Sequence, residues 1–228
     1  MNIDKLNKCD YENFAAAYRF LSSAVFAELD RSQIEALRDK CLPAVDGSGM
    51  QKASREISRY LKRSDDTIET KLRVDFARVF LAAGIYEKGD SPAPYESVFT
   101  SPKGIMMQEA RDDAVKRYAE VGMVVSKDLN EPEDHLAFEL EYMAILHDRM
   151  AKVAEESDEE ELVALKEKAS SFAANHLLNW VGLLQKRVTK YSKEPFYPAL
   201  LEYTLGLVEE NVRCLRVTPS YSRDYATS

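Results

Sequence analysis

The stretch Glu131-Pro132-Glu133-Asp134-His135-Leu136-Ala137-Phe138-Glu139-Leu140-Glu141-Tyr142-Met143 sets a proline and several acids in front of apolar residues at helical spacing. Leu136, Leu140, Met143 and His147 fall on one face, with Phe138, Tyr142 and Ile145 beside it. That is the broad apolar stripe of a helix lying on a core. Pro132 suits a first helical position, and acids in a first turn interact favourably with the positive end of the helix dipole. The spacing predicts a helix from Pro132 to about Val153.

The same rhythm extends outward in both directions, and the period-2 alternation of half-buried strands is nearly absent. The expected fold is all-α, one helical-bundle unit of about ten helices. Tyr11, Phe14, Tyr18, Leu21, Val25 and Leu29 mark a first helix. Asp30 or Ser32 can cap a second through Ile34, Leu37 and Cys41, which Pro43 and Gly47-Ser48-Gly49 end. Ile57, Tyr60 and Leu61 mark a third; Ile68, Leu72, Asp75, Phe76, Val79 and Phe80 mark a fourth, with Gly84 as its stop. Between Ile85 and Lys103 the rhythm fails around Gly89, Pro92, Pro94 and Pro102, and an ordered loop of that length is often functional. It is a natural hinge for a two-lobe division. Helix is expected again from Met106 to about Gly122, then, after the acidic run 155–161, from Leu162 to Lys190 with a break near Asn175, and from Phe196 to Arg216 behind Pro195. The domain is read as residues 1–217, with 218–228 a flexible polar tail.

Composition narrows the function. Of 228 residues 45% are hydrophobic, enough for a core, and 31 Lys+Arg against 39 Asp+Glu leave a net charge of -8. That is the wrong sign for holding a phosphate backbone, so no nucleic-acid partner is expected. Cys9, Cys41 and Cys214 are scattered and form no C-x-x-C, which fits thiols in a reducing compartment. Residues 1–12 carry charges and no apolar h-region, and the uncharged run Ala169–Gln185 is shorter than the roughly 20 apolar residues of a membrane span. A cytoplasmic location without membrane insertion is expected.

Enzymatic motifs are weak. Pro132, Ala144 and Ala173 stand three residues before His135, His147 and His176, so the Glu-x-x-His pairs of di-iron bundles are missing. Gly84-Ile85-Tyr86-Glu87-Lys88-Gly89-Asp90-Ser91 has P-loop glycine spacing, but Asp90 stands where the phosphate-binding lysine belongs. Nucleophile elbows and reactive-cysteine contexts are also missing. No catalytic residue, metal or cofactor is expected. Ser91-Pro92-Ala93-Pro94-Tyr95-Glu96-Ser97-Val98-Phe99, by contrast, puts rings and a carboxylate on a proline-stiffened loop. It suits a peptide groove with an acidic rim, or a loop whose Tyr95 and Phe99 simply fasten it to the core.

Leu72-Arg73-Val74-Asp75-Phe76-Ala77-Arg78-Val79-Phe80, Ala93-Pro94-Tyr95-Glu96-Ser97-Val98, Glu131-Pro132-Glu133-Asp134-His135-Leu136 and the terminal Phe196-Tyr197 helix occur in that order. In these segments the chain resembles the TorD/DmsD/NarJ family, cytoplasmic redox-enzyme maturation chaperones of molybdenum-containing anaerobic reductases and dehydrogenases. The resemblance implies an all-helical protein that is not an enzyme. It implies binding of a precursor's twin-arginine leader, and sometimes of its mature part, while the molybdopterin cofactor is inserted and export is delayed. By the same resemblance Asp134 and His135 match the family's leader-binding pair, Pro94, Tyr95, Glu96 and Ser97 the loop lining that pocket, and Asp75 and Phe76 the preceding helix. Tyr95 replaces a frequent Trp, which leaves the particular client open. Weak guanine-nucleotide binding and domain-swapped dimers are also implied for some members, with no sequence marker here.

A leader of that kind joins a basic segment to an apolar one. Carboxylates of Asp134, Glu131, Glu133 and Glu96 are candidates for the guanidiniums, which they can take bidentately. Tyr95, Phe76, Phe99 and Leu136 are candidates for the apolar part, at about 25 cal/mol per Å² buried. A helical adaptor with an unrelated partner is the alternative, and a metal or nucleotide enzyme stands behind it.

Overall fold

The computed structural model describes residues 6–40, 42–44 and 48–215, and within them ten α-helices and no strand. They are α1 (Lys8–Phe26), α2 (Arg31–Asp39), α3 (Gly49–Arg63), α4 (Ile68–Phe80), α5 (Glu96–Thr100), α6 (Glu109–Glu120), α7 (Leu136–Glu156), α8 (Glu159–Phe172), α9 (Leu178–Tyr191) and α10 (Phe196–Leu215). A 3₁₀ turn, Lys127–Leu129, precedes α7, and a π-turn, Ala173–Leu177, joins α8 to α9. Starts are written locally. Asn7, Asp30, Ser48 and Asp158 each accept the backbone N–H three residues on, which satisfies an orphan donor of α1, α2, α3 and α8.

The long axis of the bundle is the pairing of α1 with α7, and α10 packs on α3 and α9. Tyr11, Tyr18, Leu21 and Val25 are the buried stripe of α1; Leu136, Leu140, Met143 and Leu146 are that of α7. Across their edge Ser22 donates to the Ala137 carbonyl at 2.8 Å, and Arg19 pairs with Asp148 at 2.6 Å. His147 belongs to this core. Its Nδ1 meets the Met143 carbonyl at 2.7 Å, its Nε2 meets Asn211 at 2.8 Å, and Asn211 accepts from Tyr18 at 3.0 Å. That network satisfies polar groups of α1, α7 and α10 that are shut away from water. At Gly206 the α3–α10 crossing is so close that a Cβ would stand 2.9 Å from the Met50 backbone nitrogen.

Several expectations are corrected. Helices on either side of the long loop interleave, and their buried apolar residues form one cluster, so the two-lobe division is not confirmed. The loop itself contains α5, too short to leave a periodic signature. Residue 132 is not a helix start: α7 begins at Leu136, with His135 as its N-cap and Glu131, Glu133 and Asp134 ahead of it. Left-handed backbone at Met107 (φ 61°) delays α6 to Glu109, and at Ala82 (φ 53°) keeps α4 from reaching Gly84. The break near Asn175 is the π-turn. Cys41 and the tail 218–228 lie outside the described residues.

Candidate functional site

The proline loop and the approach to α7 are stitched into one seam. Tyr95 and His135 form an antiparallel bridge, Leu136 N–H donates to the Pro94 carbonyl at 2.9 Å, and Glu96 N–H donates to the Asp134 carbonyl at 3.0 Å. Asp134 then turns its Oδ2 to the Ser97 N–H at 2.9 Å, acting as an outside cap for α5. Its Oδ1 is buried with no hydrogen-bond partner. Burial raises the Asp134 pKa, against the opposing pull of the Ser97 bond. His135 accepts the Ala137 N–H at 3.1 Å and packs its ring against Tyr95, Phe26 and Phe138. Burial lowers its pKa to about 4, so the ring is neutral at pH 7. Asp134 and His135 thus build the seam from within.

Its outer edge carries half-buried polar groups. Tyr95 donates to Glu131 at 2.5 Å, and Glu133 forms a fork with Arg111 at 2.6 and 2.8 Å, which holds the Glu133 carboxyl below the usual range. Pro94 and Leu136 are buried, and Phe99 is half-buried, ring to ring with Trp180 and under the Arg187 guanidinium. Asp75 and Phe76 are engaged elsewhere. Asp75 accepts from Ser192 and from the Lys193 N–H at 2.8 Å, fixing the α9–α10 turn, and Phe76 packs on Phe80 and Tyr197.

Behind the seam lies a polar cluster inside the apolar core. Glu96 is 2%, Glu139 0% and His176 4% exposed. Nδ1 of His176 meets Glu96 Oε2 at 2.7 Å, its Nε2 meets Asp113 Oδ2 at 3.0 Å, and its ring stacks on Phe172 at 4.3 Å. Burial works against the charged imidazole, but the two carboxylates outweigh it and raise the pKa of His176. Trp180 donates to Glu139 Oε2 at 3.1 Å, and the Glu139 carboxyl also hydrogen-bonds with Glu96. Burial and the adjacent Glu96 carboxylate hold the Glu139 carboxyl well above its ordinary range. The π-turn widens the backbone where His176 enters this cluster, a distortion that recurs at functional positions.

A cleft of about 460 Å³ opens over Glu96, Asp113 and His176, walled by Thr100, Gln108 and Asn179. Glu109 stands at its mouth. The neighbouring Ile105, Met106 and Met107 are 48%, 47% and 62% exposed. The loop and seam residues therefore come together with a cleft that sequence reasoning did not single out.

The family described as nitrate reductase delta subunit matches residues 44–185 of the chain. The chain belongs to the TorD/NarJ family. It is 27% identical over 212 residues to the chaperone protein TorD of Vibrio cholerae, covering 90% of this chain and 92% of that one. The TorD chaperone of Ferrimonas balearica is 29% identical over 207 residues, covering 86% and 87%, and that of Photobacterium profundum 27% over 195, covering 82% and 87%. Asp113, His176 and Trp180 join the candidate site without having been singled out from sequence, and Glu139, weighed there only as an i, i+4 partner of His135, pairs with Trp180 and Glu96. Two signals were available: an acid, Glu139, inside the apolar start of α7, and a His and a Trp at i, i+4 in an otherwise uncharged run.

Proposed function

We propose that this chain is a non-enzymatic cytoplasmic chaperone that assists maturation of a molybdopterin-containing oxidoreductase precursor by binding its twin-arginine leader. The leader docks on the face made by residues 93–113 and 131–136. The observation that carries this reading is the pairing of an acidic cleft with an exposed apolar rim. Glu109 and Asp113 at the cleft offer carboxylates to guanidiniums, and Ile105, Met106 and Met107 beside it offer an adaptable apolar surface to the segment that follows. The two halves match the two halves of a basic-then-apolar leader. Glu131 and Glu133 extend the acidic edge, while Pro94, Tyr95, Glu96, Ser97, Phe99, Asp134, His135 and Leu136 hold the loop that presents it.

The similarity over most of the chain to proteins named TorD chaperones supports the same reading. Holding the leader until cofactor insertion is complete would delay export, and the mature part of the client is a second contact. Neither a resident cofactor nor a guanine nucleotide is required.

The test is fluorescence anisotropy with a labelled leader peptide and a twin-lysine version of it. Expected is at least tenfold weaker binding of the lysine peptide, loss of affinity with added salt because charges contribute, and weaker binding by a Glu109→Gln/Asp113→Asn variant of unchanged helicity. Equal affinity for both peptides would overturn the leader reading in favour of a helical adaptor for an unrelated partner.

A further inference from the structure

The buried cluster behind the seam has more donors than a folded core needs. Glu96 on α5, Glu139 on α7 and His176 in the π-turn bring one ligand atom each within 4.8 Å of one another, all three side chains being buried. We infer that Glu96, Glu139 and His176 form a binding site for one divalent transition-metal ion, entered through the cleft over Glu96 and His176.

Two of the three donors are already oriented by a further group. His176 gives Nδ1 to the cluster while its Nε2 is held by Asp113 at 3.0 Å, the carboxylate–histidine arrangement that fixes the ring of a metal ligand. Trp180 holds one oxygen of Glu139 at 3.1 Å, and the same wholly buried carboxyl faces Glu96, with which it shares a hydrogen bond. Two buried carboxyl groups that face one another repel when both are ionised, and a cation between them would offset that repulsion. Two metal–ligand bonds of about 2.0–2.1 Å at a tetrahedral angle put their donor atoms about 3.3 Å apart. The 2.7 Å between His176 Nδ1 and Glu96 Oε2 therefore has to open by only about half an ångström.

One imidazole and two carboxylates suit Zn²⁺, Fe²⁺, Co²⁺ or Mn²⁺. Two carboxylates and a neutral imidazole balance the +2 charge, which a low-dielectric interior favours. Carboxylate and imidazole ligands take a metal in their deprotonated forms, so uptake should weaken as the pH falls. The cleft leaves a side from which water completes the coordination. Residues 173 and 172, three and four before His176, are Ala and Phe, so spacing along one helix does not reveal a site assembled from three elements. The inference is independent of the leader reading.

The test is titration of the chelator-stripped full-length chain with Co²⁺, read by visible ligand-field absorption, and with Zn²⁺, read by calorimetry. One ion per chain is expected, with a higher melting temperature in excess Zn²⁺. Glu139→Gln keeps the side-chain shape and should abolish the Co²⁺ spectrum. Asp113→Asn, at the more exposed edge, should weaken Zn²⁺ binding 10–100-fold. His176→Gln should behave like Glu139→Gln; if it does not fold, the other two variants decide. Absence of stoichiometric uptake, or uptake unchanged in folded Glu139→Gln and Asp113→Asn, would overturn the inference.

Discussion

Asp134 is the residue at which a binding role and a building role part company most cleanly. The side chain is fully shielded, and its Oδ2 accepts the Ser97 N–H at 2.9 Å. Asp134→Ala removes that acceptor and leaves a buried backbone donor unpaired, at a cost of about 1–3 kcal/mol. Asp134→Asn keeps a carbonyl oxygen for Ser97. It also replaces an ionisable group whose burial already raises its pKa, so its cost should stay below about 1 kcal/mol. Urea unfolding followed by circular dichroism separates the two, since a 2 kcal/mol difference moves the midpoint by about 1 M at a slope near 2 kcal/mol per M. In leader binding, Asp134→Asn should stay within about threefold of the natural chain, as the charge is turned inward, while Asp134→Ala weakens it by loosening the loop. An Asp134→Ala protein within about 0.5 kcal/mol of the parent would refute the seam argument. If Asn and Ala lost binding equally without loss of stability, the carboxylate would be meeting the client directly.

Two glycines make a matched pair. An added Cβ at Gly206 meets the Met50 backbone at 2.9 Å, whereas at Gly182 of α9 it meets nothing within 4 Å. Gly206→Ala should destabilise by about 1–2 kcal/mol after its helix-propensity gain, and Gly182→Ala should stabilise by about 0.5–1 kcal/mol; denaturant midpoints changing in the same direction would count against the close α3–α10 crossing. His147 is held near a pKa of about 4 chiefly by burial, below the roughly 6.5 of an unfolded histidine. The unfolded chain thus takes up a proton first as the pH falls, so this stability is present above about pH 6.5 and lost towards pH 4. Between pH 7 and 5 the loss from this residue is about 2 kcal/mol, and a folded His147→Gln protein should lack that increment in urea titrations at the two pH values.

The helices that bury a full stripe were legible because burial imprints a 3.6-residue period. Tyr11 to Val25 and Leu136 to Met150 are examples in which nearly every apolar position anticipated a core contact. Five-residue α5 has too few turns to leave such a trace, and the left-handed Met107 carries no mark in a side chain that ordinarily favours helix. At the candidate site the structure brings the two segments singled out from sequence side by side, and it shows contacts that spacing did not predict. Asp134 looked like a first-turn acid open to a guanidinium, and it is an inward cap for another helix. Asp75 was matched to the same pocket by resemblance, and its carboxylate is bonded to Ser192 and Lys193 at the α9–α10 turn. The Glu96–Asp113–Glu139–His176 cluster draws on positions 17, 26 and 37 residues apart, and no local pattern encodes such an encounter.

The interleaving of helices around the loop has a kinetic consequence. Arg187 donates to the Ser91 carbonyl at 2.9 Å and Lys190 pairs with Asp90 at 2.7 Å, so the loop is tied to α9 as well as to the seam. Freeing it would still not release an intact half, because α1 is paired with α7 and α3 with α10. Two chains could exchange their N-terminal helices only by opening the common core in both. Monomers and any swapped dimers should therefore interconvert on the timescale of global unfolding. A preparation would keep the ratio set when it folded, through dilution and chromatography, until warmed or exposed to mild denaturant.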